Sequence, residues 1–154
     1  MPSYIRPAPL RTEMPDPILE KNARRTQIRT RTEAGPLFQR LEHWMRALGF
    51  PVKDIFAVHL ALEEAFTNAL RHGHRGDPSK VVQIRYFVTA AEVWLEVEDQ
   101  GRGFDPAGVP DPLHEANLDR PSGRGLFLMR AYMDAVSFNP TGNRVTLSKR
   151  RTQR

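Results

Sequence analysis

The feature of the sequence that most constrains the fold is an apolar run with helical periodicity that ends at Gly73. Its apolar residues recur every three or four positions, as they do on a helix that packs one face against a core. They are Ile55, Val58, Leu62, Ala65, Phe66 and Ala69. Glu64 and Asn68 are four residues apart, so they lie one turn apart on the same helix. The run therefore predicts a core helix that holds a carboxylate and a carboxamide side by side.

The neighbours of Glu64 on the side away from the core are apolar rather than basic. They are Phe56, Ala57, Leu60 and Ala61. We therefore expect the second face to be covered too, where a carboxylate is desolvated unless a ligand, a metal or a cation meets it. This stretch alone is equally compatible with an alternative that involves no site, in which Glu64 is exposed to solvent and Asn68 caps the helix.

Length and composition indicate one domain. The chain has 154 residues and no cysteine, which suits a single core without disulfides or thiolate metal sites. A cytoplasmic location is the expectation. No apolar run approaches the roughly 20 residues that cross a bilayer, and the first residues lack the apolar segment of a signal peptide. We expect neither membrane insertion nor secretion.

The basic charge lies mainly at the two ends of the chain. The net charge is +5, but residues 41–148 hold 11 basic and 14 acidic side chains. A nucleic-acid surface places its charge on the folded body, beside aromatic or groove-reading elements. The charge pattern therefore disfavours binding of DNA or RNA.

Three segments are expected along the chain. Residues 1–22 are rich in proline and predict a flexible arm, residues 23–150 a single domain, and residues 151–154 a basic tail. The domain should open with an edge strand over 25–30 that its arginines protect from pairing with other chains. A helix follows from Pro36 to Gly49, with a buried stripe that ends at Leu48, and the central helix runs from its N-cap Asp54 to His72.

The second half of the chain alternates between strands and one helix. Residues 82–88 and 93–98 alternate apolar with polar side chains across a short turn and predict an antiparallel hairpin with one buried face. A helix over 126–133 and two strands, over 135–138 and 144–148, complete the domain. This order predicts an α+β two-layer sandwich, in which a mainly antiparallel sheet packs on helices.

Asp99 closes the second strand of this hairpin and is followed by Gly101 and Gly103. The strand end holds the carboxylate firmly, and the glycines let the backbone approach a ligand closely. Such a carboxylate can accept a hydrogen bond from an amino group such as that of adenine. The same Asp-x-Gly-x-Gly pattern also occurs in ordinary turns.

A second glycine pair, Gly123-Arg124-Gly125, directly precedes the predicted helix 126–133. Free backbone N–H groups and the helix dipole favour an anion at such a position, and phosphate is the natural candidate. A flexible hinge is the alternative. The pair gains weight because it follows Glu64, Asn68 and Asp99 in order along the chain.

These motifs together resemble those of the GHKL, or Bergerat-fold, ATPases over roughly residues 25–150. The segment from Glu64 to Asn68 resembles the N box, that from Asp99 to Gly103 the G1 box, and residues 122–126 the G2 box. Residues 123–129, followed by Met133-Asp134, are similar to the anti-sigma-factor serine kinases within that superfamily.

The resemblance implies roles for individual residues. Glu64 would be the general base for the attacking hydroxyl, Asn68 would ligate Mg²⁺, and Asp99 would bind the adenine amino group of ATP. Arg124 would neutralise phosphate charge, and Leu126 would complete the nucleotide-binding segment.

The same resemblance assigns the four glycines to lid closure over the phosphates. They are Gly101, Gly103, Gly123 and Gly125. One departure concerns adenine binding: family members usually carry Gly-Thr-Thr at the last strand, whereas this chain reads Gly142-Asn143-Arg144. His72 is interpreted as a structural residue at the helix end, and the remaining histidines form no metal-ligand spacing.

The implied function is that of an ATP-dependent protein serine kinase that acts as an anti-sigma factor. Such a protein binds a sigma factor, phosphorylates a serine of an anti-anti-sigma (STAS-type) partner, and forms a homodimer. The alternative is a nucleotide-gated binding module of the same fold that sequesters a partner without phosphotransfer. The ATP-binding half of a histidine kinase is disfavoured, since only the proline-rich arm precedes the domain.

Overall fold

A computed structural model describes residues 19, 21–74, 77, 79–101 and 121–153. Eight helices and strands follow one another along this part of the chain. They are β1 (Arg24–Ile28), α1 (Gly35–Ala47), α2 (Val52–Asn68), β2 (Val82–Val88), β3 (Glu92–Glu98), α3 (Pro121–Tyr132), β4 (Ala135–Phe138) and β5 (Arg144–Arg150). A 3₁₀ turn, Arg31–Ala34, precedes α1, and a π-helical turn, Ala69–His74, extends α2.

The strands form one sheet in the order β1-β2-β3-β5-β4, and every neighbouring pair is antiparallel. The three helices and one face of this sheet enclose the hydrophobic core, which confirms the α+β two-layer prediction. β1 is an edge strand, as predicted, although it ends at Ile28 because the chain then turns into the 3₁₀ segment.

α1 follows the predicted pattern except at its end. Pro36 lies in its first turn, where a missing N–H costs nothing. Leu37, Leu41 and Met45 are buried, whereas Leu48 is 37% exposed and lies just beyond the helix. Gly49 adopts a φ of 82°, the left-handed conformation that commonly ends a helix. The predicted stripe was therefore wrong at its last residue.

The predicted N-cap of α2 was also wrong. The helix begins at Val52 after Pro51, so Asp54 lies inside its first turn. The Asp54 side chain is 1% exposed and accepts hydrogen bonds from the backbone N–H and the hydroxyl of Thr152, each at 2.7 Å. Lys149 Nζ lies 3.8 Å from the same carboxylate. Asp54 therefore fastens the residues after β5 to α2 instead of capping the helix.

The two sides of α2 differ in burial. All six predicted core residues, from Ile55 to Ala69, are buried. On the other side Ala57 and Ala61 are buried, but Phe56 is 55% exposed and meets Tyr132 edge to face at 5.9 Å. The expected cover of the second face therefore exists only in part, because α3 reaches one portion of that face.

The prediction that the hairpin has a single buried face was wrong for both strands, since Phe87 of β2 is buried on the face opposite Tyr86. Val93, Leu95 and Val97 contribute to the core, as expected, but Trp94 and Glu96 on the opposite face are buried as well. The remaining differences concern element ends: β5 continues to Arg150, and α3 begins at Pro121 rather than at residue 126.

Candidate functional site

Glu64 and Asn68 lie one turn apart on the last two turns of α2, and both are half-buried. α3 crosses the helix at this point. A Cβ atom added to Gly125 of α3 would lie 2.8 Å from Glu64 Oε2 and 3.4 Å from Asn68 Nδ2. The two helices therefore approach so closely that only a glycine fits beside the predicted carboxylate and amide.

The environment of Glu64 makes its carboxyl group a stronger base than an exposed glutamate. Burial raises its pKa above the usual value, and the neighbouring charge of Glu63 raises it further. Three arginines act in the opposite direction on the same carboxyl. They are Arg124, Arg31 and Arg71. The site thus combines a partly desolvated carboxylate with nearby cationic groups, which suits a base that works beside phosphates.

Arg31 connects the turn after β1 to the site helix. Its guanidinium lies 2.9 Å from Glu63 Oε1 and donates a hydrogen bond to the Thr67 hydroxyl at 2.8 Å. Glu63 and Thr67 immediately precede Glu64 and Asn68 in the sequence. Arg31 therefore braces the turn of α2 that carries the site residues.

Asp99 follows β3 and is held by the turn between β4 and β5. Its backbone N–H donates to the carbonyl of Asn143 at 2.9 Å, and the Asn143 side-chain amide donates back to the Asp99 carbonyl at 3.1 Å. Its Oδ1 accepts the N–H of Gly101 at 2.7 Å. These contacts fix the orientation of the carboxylate, as the sequence predicts for an acid at a strand end.

Asn68 and Asp99 line one pocket, whose volume is about 370 Å³ out to its open mouth. Much of the remaining lining is apolar. It includes Val97, Met129, Phe138 and Val145. A mainly apolar cleft with a few fixed polar groups is typical of small-molecule sites. Glu64 lies one turn from Asn68, beside Gly125, and is outside the lining of the pocket itself.

The sequence matches the family described as histidine kinase-like ATPase domain over residues 29–149. The chain belongs to this family. The match covers the three helices and all the strands described above except β1 and the last residue of β5, and it confirms the GHKL-type fold that the three motifs imply.

Within this family, the chain is similar to proteins named as an anti-sigma factor and as a serine-protein kinase. It is 32% identical over 104 residues to the anti-sigma F factor of Clostridium botulinum strain Eklund 17B, covering 64% of this chain and 73% of that protein. It is 31% identical over 109 residues to the serine-protein kinase RsbW of Bacillus subtilis strain 168, covering 66% and 68%.

A solved structure supports the fold of this histidine kinase-like ATPase domain. The crystal structure of the RsbU and RsbW domains of a Mycobacterium tuberculosis protein matches with a TM-score of 0.53 at 20% identity, over 82% of this chain and 32% of that chain. At this identity the likeness concerns the fold alone.

The second glycine pair of this ATPase domain differs from the prediction. Gly123, Arg124 and Gly125 do not precede a helix but lie inside α3, which begins at Pro121. A backbone N–H in the interior of a helix donates to a carbonyl of the preceding turn. The prediction of free N–H groups is therefore wrong for Gly125 and for the residues that follow it in α3. The Leu126 side chain is buried in the core, and Gly103 lies outside the described residues.

The β4–β5 turn brings the departing segment Gly142-Asn143-Arg144 to the pocket. Gly142 and Asn143 line the pocket, and Gly142 adopts a φ of 74° that a side chain would strain. Arg144, which stands where the resemblance places the second threonine of Gly-Thr-Thr, also lines the pocket, while its Nη1 lies 3.4 Å from Glu98 Oε2. The Asn-Pro-Thr-Gly-Asn sequence signals the turn but not its place beside Asp99.

The described residues contain no group of three His, Cys, Asp or Glu side chains that could hold a metal ion. A Mg²⁺ ion at Asn68 would therefore take its other ligands from nucleotide phosphates and water, as Mg²⁺ commonly does. The donor set fits that arrangement, since it offers one carboxamide beside the carboxylate Glu64. No helix in the described part of the chain is long and apolar enough to cross a membrane.

Proposed function

We propose that this protein is an ATP-dependent protein serine kinase that acts as an anti-sigma factor. It binds a sigma factor and transfers the γ-phosphoryl group of ATP to a serine of an anti-anti-sigma partner of the STAS type. The observation that carries the proposal is the packing of Glu64 and Asn68 against Gly125, with Asp99 on the same pocket as Asn68.

Each of these residues has a separate task in the proposed reaction. The Asp99 carboxylate accepts a hydrogen bond from the adenine amino group, and the apolar lining, including Phe138 and Val145, packs on the base. The Asn68 side-chain oxygen would hold Mg²⁺, which would neutralise charge at the phosphates. Arg124 adds positive charge on the side of α3.

Glu64 acts on the acceptor serine. Its carboxylate takes the proton of the serine hydroxyl while that oxygen forms a bond to the γ-phosphorus, and the bond from phosphorus to ADP breaks. A partly desolvated carboxylate with a raised pKa is a better proton acceptor than an exposed glutamate. Gly125 leaves the space in which this carboxylate lies.

The names of the relatives support the choice of partners. One is named an anti-sigma F factor and the other a serine-protein kinase, and this chain covers more than two thirds of each. The proposal includes the homodimer that the sequence resemblance implies, which sedimentation of the purified protein would test.

The proposal is tested by incubating the full chain with Mg²⁺, γ-labelled ATP and an anti-anti-sigma protein of the STAS type from the same organism. We expect label on a serine of that protein and none when that serine is replaced by alanine. Tight ATP binding without any transfer would instead support the alternative, a nucleotide-gated module that sequesters its partner.

A further inference from the structure

Three exposed apolar side chains lie together on the two helices that carry the site. Among the described residues five large apolar side chains are exposed. Val52 (67% exposed) and Phe56 (55%) are one turn apart on α2, and Tyr132 (37%) of α3 meets the Phe56 ring edge to face at 5.9 Å. Single apolar side chains at a surface are ordinary, whereas a contiguous group marks an interaction surface.

The apolar row of α2 leads directly to the proposed base. Leu60 is half-buried and lies four residues after Phe56 and four residues before Glu64. Residues four apart lie above one another on a helix surface. Val52, Phe56 and Leu60 therefore follow the surface of α2 turn by turn up to the Glu64 carboxylate.

α3 adds a second row beside the first. Gly125 lies against Glu64, whereas Tyr132 lies against Phe56, so the two helices run antiparallel side by side. Half-buried Leu128 lies one turn before Tyr132. The two rows accompany each other for about 12 Å, the rise of eight helical residues. We call the joint surface the seam, and its residues are Val52, Phe56, Leu60, Leu128 and Tyr132.

The seam lies where an acceptor protein must approach. In the proposed function, on which this inference rests, a serine of another protein reaches Glu64. A stable interface buries about 800 Å² on each partner, so such a protein covers surface well beyond one carboxylate. The seam begins one turn from Glu64. The centre of an interface is typically apolar and aromatic, as this surface is.

The surface of α2 on the other side of Glu64 is polar. Glu63 pairs with Arg31 at 2.9 Å, and the same guanidinium donates a hydrogen bond to the Thr67 hydroxyl. Arg71 is exposed just beyond the end of α2. An acceptor protein that covers Glu64 therefore finds its apolar contact in the seam.

The charges near the seam are mainly basic. Lys53 is exposed in the first turn of α2, next to Val52, and Arg71 is exposed beyond the opposite end. The negative charge of Glu63 is offset by Arg31. Because complementary charges fix the register of an interface, the surface favours a partner that is acidic around an apolar stripe.

The dimensions fit one face of a helix. From Val52 to Glu64 the seam extends about 18 Å, which equals little more than three helical turns. Amphipathic helices dock on apolar surfaces through residues that recur every three or four positions. We propose that the seam binds an amphipathic helix of the phosphoacceptor protein, with acidic residues beside its apolar stripe, and that this docking brings the acceptor serine to Glu64.

The proposal is tested with serine variants of the two most exposed seam residues, Val52→Ser and Phe56→Ser. Binding of a STAS-type protein from the same organism is measured by calorimetry with Mg²⁺-ADP, and transfer is measured with γ-labelled ATP at several acceptor concentrations. We expect each variant to bind the acceptor at least tenfold more weakly and to raise its KM by the same factor. The affinity for Mg²⁺-ATP and kcat at saturating acceptor should not change.

Phe127→Ser is the matched control. Phe127 is 37% exposed on α3, as is Tyr132, but the five residues between them place it on another side of the helix. This variant should bind the acceptor as the native chain does. Val52 makes the smallest number of contacts, at 67% exposure, so Val52→Ser keeps the test decisive even if Phe56→Ser is unstable.

The possible outcomes separate the seam from the kinase activity. Native acceptor binding in both seam variants would overturn the docking and leave the proposed transfer intact. A native chain that binds the acceptor without transfer would contradict the kinase proposal, while loss of binding in the seam variants would still support the docking. A native chain that binds no such protein would overturn both.

Photocrosslinking identifies the occupant of the seam. With the substitution Phe56→benzoylphenylalanine, we expect a crosslink to the acceptor protein. A crosslink between two copies of this chain, unchanged by added acceptor, would overturn the proposal, since the seam would then be a contact between protomers.

Discussion

Gly125 of α3 faces Glu64 of α2 so closely that a Cβ atom at position 125 would lie 2.8 Å from Glu64 Oε2. That separation is shorter than van der Waals contact, so any side chain there must displace the carboxylate. Gly125, which belongs to the segment that resembles the G2 box, therefore has a role beyond a flexible turn. It leaves the space in which the proposed base Glu64 lies, next to the proposed metal ligand Asn68.

Gly125→Ala should lower the rate of phosphotransfer without lowering the stability of the fold. The displaced atom is the far end of a flexible side chain, so the fold can adjust, and alanine is favoured over glycine inside a helix by up to about 1 kcal/mol. We expect an unchanged or higher melting temperature but at least a tenfold loss of phosphotransfer, a barrier increase of about 1.4 kcal/mol. Gly35→Ala is the matched control, because nothing lies within 4 Å of its added Cβ. Equal transfer rates in the two variants would contradict the role of Gly125.

Glu64→Gln should abolish transfer while it preserves nucleotide binding. The amide cannot accept the serine proton, and general-base catalysis typically contributes 10²- to 10⁴-fold. Transfer is measured with labelled ATP, and binding of Mg²⁺-ATP by calorimetry. Glu63→Gln, on the adjacent residue that pairs with Arg31, is the control and should retain most of the activity. A normal transfer rate in Glu64→Gln would show that another group is the base.

The pH dependence of transfer should report the raised pKa of Glu64. The base acts only when it is deprotonated, so the fall of kcat/KM on the acid side should lie at higher pH than the pKa of an exposed glutamate would give. The charge of Glu63 is one cause of the raised pKa. Glu63→Gln should therefore shift the acid limb to lower pH, whereas Glu42→Gln on α1 should not. An acid limb that stays in place in both variants would contradict the assignment.

The same raised pKa affects stability with a definite sign. Between the usual glutamate pKa and the raised value the folded state binds more protons than the unfolded state, so the free energy of unfolding falls as the pH rises. Glu64→Gln lacks this titration. Its stability relative to the native chain should therefore increase as the pH rises through that interval, as urea unfolding at several pH values would show.

Asp99→Asn should weaken nucleotide binding. The substitution replaces an acceptor by an amide that can present a donor to the adenine amino group, and losing a hydrogen bond to a charged partner costs about 1.5–3 kcal/mol, or at least tenfold in affinity. Calorimetry with ADP and Mg²⁺ measures this change. Asp77→Asn is the control, since the Asp77 side chain is exposed and accepts its hydrogen bonds from the backbone N–H and the hydroxyl of Ser79 in its own loop. Unchanged affinity in Asp99→Asn would refute the adenine contact.

Asp54→Ala should reduce stability without an effect on the nucleotide site. Its buried carboxylate holds both the backbone and the hydroxyl of Thr152, and removing it leaves those donors unpaired. We expect a loss of about 2–4 kcal/mol in the free energy of unfolding, as measured in urea. The affinity for Mg²⁺-ATP should remain that of the native chain. A loss below the error of the measurement would show that this contact is not made in solution.

The sequence predicts those parts of the site that depend on local patterns. Helical periodicity places Glu64 and Asn68 one turn apart, and strand alternation followed by glycines places Asp99 at a strand end. The order of strands and helices also predicts the two-layer architecture, because the hydrophobic pattern that identifies each element lies within the sequence of that element.

Features that arise from distant contacts could not be predicted in this way. Asp54 has the sequence position of a helix cap, but it binds Thr152, 98 residues away. Trp94 has the sequence position of an exposed strand residue, but it is buried. The start of α3 was misplaced because Gly123 and Gly125 are poor helix formers. The close approach of Gly125 to α2 requires a glycine there in spite of that propensity.

The most direct test of the central claim is a crystal structure of the full chain grown with ADP and Mg²⁺. We expect the adenine ring between Asp99 and Phe138, the Mg²⁺ ion at the Asn68 side-chain oxygen, and the phosphates directed towards Arg124. Nucleotide density at any other surface, or crystals without nucleotide at saturating ADP, would contradict the account.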